Sequence, residues 1–166
     1  MPDFSHLRKL EVTEQSEAEY VFDDIWGEPS IWFHPMTDSN PQYLNERVRL
    51  AVERAEAAEK ETKKQRRAKV LSSDRLEDDR ELDRLLMAKT CAVRWGTPPR
   101  DVDGNEVEFS EQNVLDFLRA IPNYMLDPVR GWVANPYNFV DRNAAKPGWA
   151  DTLGNSTSSG SSGSSD

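Results

Sequence analysis

The chain has 166 residues, 37% of them hydrophobic and 31% charged, with a formal net charge of −9 and a pI near 4.8. That length suits one compact domain with appended tails; the acidity counts against a general nucleic-acid binder, and no stretch approaches the roughly eighteen consecutive apolar residues of a membrane span. The single cysteine, Cys91, excludes an intramolecular disulfide and, within "CAVRW", reads as a buried structural thiol suited to a reducing compartment.

Residues 1–42 read as a region of short strands and turns. "KLEVTE" alternates Leu10 and Val12 with charged neighbours, the period of a half-buried strand. Two aromatic, β-branched runs, Tyr20 to Ile25 and Ser30 to His34, flank Gly27-Glu28-Pro29 and predict two strands around a turn. The opening "MPDFSHLRKLEV" has neither the apolar stretch nor the cleavage site of a secretion signal, so the expected compartment is the cytoplasm.

Residues 43–142 read as a helical domain. Asn40-Pro41 disfavours helix at Asn40 and places a helix start just after it. Leu44, Val48, Ala51, Ala55 and Ala58 recur at spacings of four and three, which predicts a packed apolar stripe. Helix propensity continues through "EKETKKQRRAKV" while apolar residues run out, so this helix is expected to end in solvent. A second helix, capped at Ser72, Ser73 or Asp74 and carrying Leu76, Leu82, Leu85, Leu86 and Met87, runs to about Lys89 and completes a helical hairpin.

Asp103-Gly104 then predicts a small β-hairpin at 100–109, with Val107 and Phe109 turned to a core. Ser110 caps a helix bearing Val114, Phe117, Leu118 and Ile121, and Pro122 ends it. Asp127-Pro128 reads as cap and first turn of a short helix with Val129, Trp132 and Val133. Residues 143–166 form a Ser/Gly-rich tail of flexible composition. The resulting class is α+β, helix-dominated, with short N-terminal antiparallel strands, a helical hairpin, a small β-hairpin and C-terminal short helices.

Chemical motifs are sparse. "DVDGNEVEFSEQN" has oxygen ligands at Asp101, Asp103 and Asn105, but Glu106 stands where a calcium loop needs glycine and Gln112 where it needs a bidentate Glu. The stretch is therefore read as a turn, with no metal. His6 and His34 are the only histidines, and neither forms an i, i+4 pair. No phosphate-binding glycine loop or nucleophile elbow occurs, so neither an enzyme nor a cofactor is expected.

The basic run with Lys63, Lys64, Arg66 and Arg67 lacks interleaved aromatics and is followed by acidic "DRLEDDRELD". The two arms are expected to lie side by side and partly neutralise each other, with a docking surface for an acidic partner as the functional alternative. Most of the five tryptophans are expected in the core. Trp149, beside the tail, is expected either to fold back or to insert into a partner.

Residues 89–141 carry a Trp-containing strand (Trp95), a D-x-D-G-x-x-V-x-F-S hairpin from Asp101 to Ser110, an N-V-L-D-F-L helix, a Pro-terminated break and an aromatic N-P-Y-N-F close. This order resembles the C-terminal half of tail assembly chaperones of long-tailed bacteriophages and prophages. "HPMTDSNPQYLNERV" is similar to that family's entry into its first helix. The strands before residue 42 depart from the simplest, largely helical members.

The resemblance implies a protein that binds the tape measure protein, with the tail tube protein as a further partner, and keeps it soluble during tail tube assembly. It implies residence in the host cytoplasm and absence from the mature virion, with no nucleic-acid or membrane partner and with room for a homo-oligomer. Leu82, Leu85, Leu86 and Trp149 are the apolar candidates for client binding, and Lys63, Lys64, Arg66 and Arg67 the charged ones. The alternative is a structural virion subunit, a connector or tail-completion protein retained in the particle.

Overall fold

The computed structural model describes Val12, residues 15–65, Arg67 and residues 74–140. The elements below belong to one compact unit, Val12–Phe139. Strands β1 (Ala18–Val21), β2 (Ser30–Phe33) and β3 (Ala92–Trp95) form an antiparallel sheet in the order β1-β2-β3. Helices α1 (Pro41–Glu59), α2 (Asp74–Leu86), α3 (Glu111–Ala120) and α4 (Asn123–Val133) make up most of the remainder. The fold is thus α+β and helix-dominated. Of the N-terminal strands, β2 pairs with the sequence-distant β3, Ile31 opposite Trp95 and Trp32 opposite Arg94, with a bulge between Trp32 and Phe33.

The core lies between the sheet and the helices that follow it. Ile31 and Phe33 from β2 meet Leu86, Met87 and Cys91, then Val114 and Leu118 of α3 and Leu126, Val129 and Val133 of α4. Edge-to-face rings seam the margin: Tyr20 with Trp132 at 5.2 Å, Phe22 with Phe117 at 5.0 Å and Trp95 with Phe117 at 5.6 Å between centroids. Burial pushes the Cys91 thiol up to about 12, so it stays protonated and inert at neutral pH.

Several expected elements are redrawn. The "KLEVTE" strand lies outside the described residues except for Val12, as does the tail at 143–166. The strand expected at Tyr20 to Ile25 ends at Val21, because Phe22 begins a tight turn. The first helix stops at Glu59, and Thr62 with Gln65 forms a reciprocal capping box that starts a new helical turn: Thr62 N–H donates to Gln65 Oε1 (3.0 Å) and Gln65 N–H to Thr62 Oγ1 (3.4 Å). The second helix widens after Leu86 into a π-helical turn, Met87–Cys91, that leads directly into β3.

The hairpin at 100–109 is pared to one antiparallel bridge, Arg100 with Glu106. Phe109 sits at the rim against Trp95 rather than in the core. The short helix expected at Asp127-Pro128 begins earlier, at Asn123, and runs through Pro128. Leu126, Val129 and Val133 form a continuous buried face across the proline, and that burial outweighs the lost hydrogen bond.

Ion pairs bind α2 to its neighbours. Arg80 makes a two-pronged contact with Asp127 (3.1 and 2.9 Å), and Arg130 reaches Asp83 at 2.5 Å and Asp127 at 2.9 Å. Arg80, with help from Arg130 and against partial burial, holds Asp127 down to about 2 from its ordinary 3.8. A depressed carboxylate contributes stability above its unfolded pKa and loses it as pH falls through the folded one. Stability should therefore fall between about pH 4 and pH 2, and Asp127→Asn should flatten that slope in urea titrations. The expected loss at pH 7 is at most about 1 kcal/mol, because Asp127 is partly exposed and screened.

Candidate functional site

Helix α1 is buried near its start and exposed along most of its outer side. Asn40 caps it, and Tyr43 is its one buried residue. Leu50 is half-buried, and Glu46 pairs with Lys89 at 2.9 Å. Further along, Arg54 reaches the Asp78 carbonyl (3.0 Å) and the Asp79 carboxylate (3.6 Å), which sets α1 and α2 antiparallel. A cleft of about 430 Å³ lined by Arg54, Ala57, Ala58, Arg75, Asp78 and Asp79 separates their outer ends.

The stripe expected to pack faces outward instead. Leu44 is 37% exposed and Val48 56%, Ala51 and Ala55 are exposed, and Val52, beside the expected stripe, is 52% exposed on the same side. Tyr43 and Leu50 take the inner face, about a third of a turn away on a 3.6-residue helix, and of the expected stripe only Ala58 is half-buried. An Ala-rich stripe buries too little area to outcompete Tyr43 and Leu50 for the core. Arg49 braces the outer side through Glu46 and Glu53, so α1 holds its helical form where nothing packs on it.

The predicted site residues separate into distinct places. Lys63, Lys64 and Arg67 are exposed beyond the end of α1. Arg66 and Trp149 lie outside the described residues. Leu82 and Leu85 are half-buried against the core, and Leu86 is fully inside it, where it offers no surface. Leu76, expected on the apolar face of the second helix, is exposed. The carboxylates of α2 are neutralised from a direction the sequence does not suggest: Asp79 pairs with Arg54, Glu81 with Arg119 of α3, and Asp83 with Arg130 of α4.

The acidic loop is a self-contained turn. Asp101 Oδ1 accepts the N–H groups of Asp103 (3.0 Å) and Asn105 (2.8 Å), and Gly104 takes φ 84°. Those donors, Asn105 foremost, hold the Asp101 carboxyl below its ordinary range. Among the described residues no group of three or more His, Cys, Asp or Glu is placed to hold a metal ion. His34 Nδ1 meets the Ser16 carbonyl at 3.0 Å, which serves the sheet edge.

No family model, curated protein or solved structure matches this chain. What the site can do therefore rests on its own chemistry. Among the described residues no helix is long and apolar enough to cross a membrane. The features without an internal role are surfaces: the outer face of α1, the basic turn after it, and the β1–β2 loop with its exposed Trp26. Of the four described tryptophans none is fully buried, contrary to the expectation from composition. Trp32 lies under Arg94, 4.7 Å from its guanidinium carbon, while Trp95 and Trp132 pack at the core margin.

Proposed function

We propose that the chain is a phage tail assembly chaperone that binds the tape measure protein and keeps it soluble while the tail tube assembles. The observation that carries this reading is the outward apolar stripe of α1, Leu44, Val48 and Val52, on a helix whose one buried residue, Tyr43, lies near its start. A tape measure protein is long and helical, and an amphipathic helix laid along this stripe would bury it through i, i+3 and i+4 contacts. Contacts of that size suit reversible holding of an aggregation-prone client. Lys63, Lys64 and Arg67 extend the surface towards acidic side chains of the client. The sequence resemblance at residues 89–141 supplies the client's identity, and the protein acts in the host cytoplasm and leaves before the virion matures.

Co-expression tests this directly. The wild-type chain should raise the soluble fraction of the tape measure protein, and Val48→Glu with Val52→Glu should abolish the gain. Both positions are exposed, so the double variant should unfold within about 0.5 kcal/mol per substitution of wild type. An unchanged gain in solubility would remove α1 from the reading. Stoichiometric recovery of the chain from purified particles by mass spectrometry would favour a structural virion subunit instead.

A further inference from the structure

The β1–β2 connection is built more tightly than a strand link requires. Ile25 N–H donates to the Phe22 carbonyl (3.1 Å), Glu28 N–H to the Ile25 carbonyl (2.9 Å), and Phe22 N–H closes the loop on the Pro29 carbonyl (2.9 Å). Phe22 and Pro29 are buried, so both ends of the loop are pinned, and Ile25 between them is half-buried against the core. Gly27 at φ 86° and Glu28 at φ 46° are both left-handed, a conformation glycine accepts freely and glutamate only under constraint. The strained pair turns Trp26 outward, 93% exposed. Asp23, Asp24 and Glu28, all exposed, line the same surface depression as Trp26.

The same sheet contains the completed form of this arrangement. Arg94 lies over the Trp32 ring at 4.7 Å and donates to Glu17 Oε2 at 2.6 Å, so one guanidinium satisfies an indole face and a carboxylate together. The β1–β2 loop presents the indole and carboxylates without the guanidinium; among the described residues, no ion pair joins Asp23, Asp24 or Glu28 to a cation. Their charge extends to the neighbouring cleft of Tyr20, Phe22, Tyr124 and Met125: burial first, then Asp23 and Asp24, push the Tyr20 hydroxyl upward.

We propose that Trp26, with Asp23, Asp24 and Glu28, receives an arginine from a segment of a partner protein, its guanidinium stacked on the indole and paired with the loop carboxylates. The planar, weakly hydrated guanidinium suits this site better than a lysine ammonium, and the carboxylates repel phosphate backbones. This surface is separate from α1 and goes beyond the chaperone reading.

Titration of the full chain with octa-arginine, octa-lysine and octa-glutamate peptides, followed by indole N–H resonances in NMR, tests the proposal. The Trp26 resonance, assigned with Trp26→Phe, should shift saturably with octa-arginine, about tenfold more weakly with octa-lysine, and not with octa-glutamate. Trp26→Ala and the pair Asp23→Asn with Asp24→Asn should each weaken octa-arginine binding by about tenfold at unchanged melting temperature. Equal response to lysine and arginine would reduce the effect to net charge and overturn the proposal. So would a Trp26 resonance that stays still, or concentration-dependent self-association lost in Trp26→Ala, which would make a second copy the occupant. Because no α1 residue is altered, these outcomes are independent of the tape measure test.

Discussion

Replacing Arg84 with alanine is expected to destabilise the domain by about 2–3 kcal/mol, because a buried guanidinium is removed and buried acceptors lose their donor, while the carboxylates it pairs with are exposed enough to be re-solvated. Arg84 is 5% exposed, near the end of α2. Its Nη1 donates to Glu77 (2.7 Å) and Glu81 (3.3 Å), its Nη2 to Asn123 Oδ1 (3.0 Å) and its Nε to the Leu118 carbonyl (3.3 Å). The last contact has a covalent cause. In a continuing helix the Leu118 carbonyl would accept from residue 122, and Pro122 has no N–H. Arg84 supplies the missing donor and places its charge at the negative end of α3. Without it, the carbonyl and Asn123 Oδ1 lose their donor where α3 turns into α4. Arg84→Lys should recover part of the loss, because an ammonium reaches fewer of these acceptors. Urea unfolding is the measurement; a cost below about 1 kcal/mol would mean that water replaces the guanidinium and the junction does not depend on it.

Much of the architecture is legible in local chemistry. Asn40-Pro41 marks the start of α1, and Asn40 Oδ1 does accept from Tyr43 N–H. Ser110 caps α3 through Asn113 N–H at 3.1 Å, and Gly104 takes the left-handed turn that Asp103-Gly104 predicts. These features depend on residues within four positions of one another, where side-chain type nearly determines geometry.

What escapes the sequence depends on distant partners. Leu44, Val48, Ala51 and Ala55 have the same periodicity whether α1 turns them inward or outward. The choice falls to Tyr43 and Leu50 on the competing face, which a stripe count does not weigh. Arg84 looks like any surface arginine in "DRELDRLL" until α3 and its proline close over it. Trp26 belongs to an aromatic run that suggests a core, yet the Gly27-Glu28 turn places it in solvent. Both candidate surfaces are thus positions where apolar content suggests burial and tertiary geometry denies it, the pattern expected where function opposes stability. Leu86 is the reverse case: a plausible contact residue by periodicity, it is spent on the core.

Asn40→Ala is expected to cost about 2–4 kcal/mol, and its effect should be uneven across the molecule. Asn40 is 3% exposed and serves three backbone groups from three places: Oδ1 accepts Tyr43 N–H at 3.3 Å, while Nδ2 donates to the carbonyls of Pro35 and Thr90, each at 3.1 Å. The first contact caps α1, a role that typically carries about 1 kcal/mol. The other two satisfy buried carbonyls on the link after β2 and in the π-helical turn, and each left unpaired adds about 1 kcal/mol or more. Asn40→Asp keeps the cap acceptor but loses both donors and sets a carboxylate against two carbonyl oxygens, so it should be no better than alanine despite the stronger intrinsic cap. A variant as stable as wild type would show that the cap alone matters. Because the one fully buried residue of α1, Tyr43, lies at this end and its later contacts are half-exposed, hydrogen exchange in Asn40→Ala should accelerate along α1 well before the sheet. The helix that presents Leu44, Val48 and Val52 would then lose its fixed orientation, and solubilisation of the tape measure protein should fall even though none of those three residues has changed.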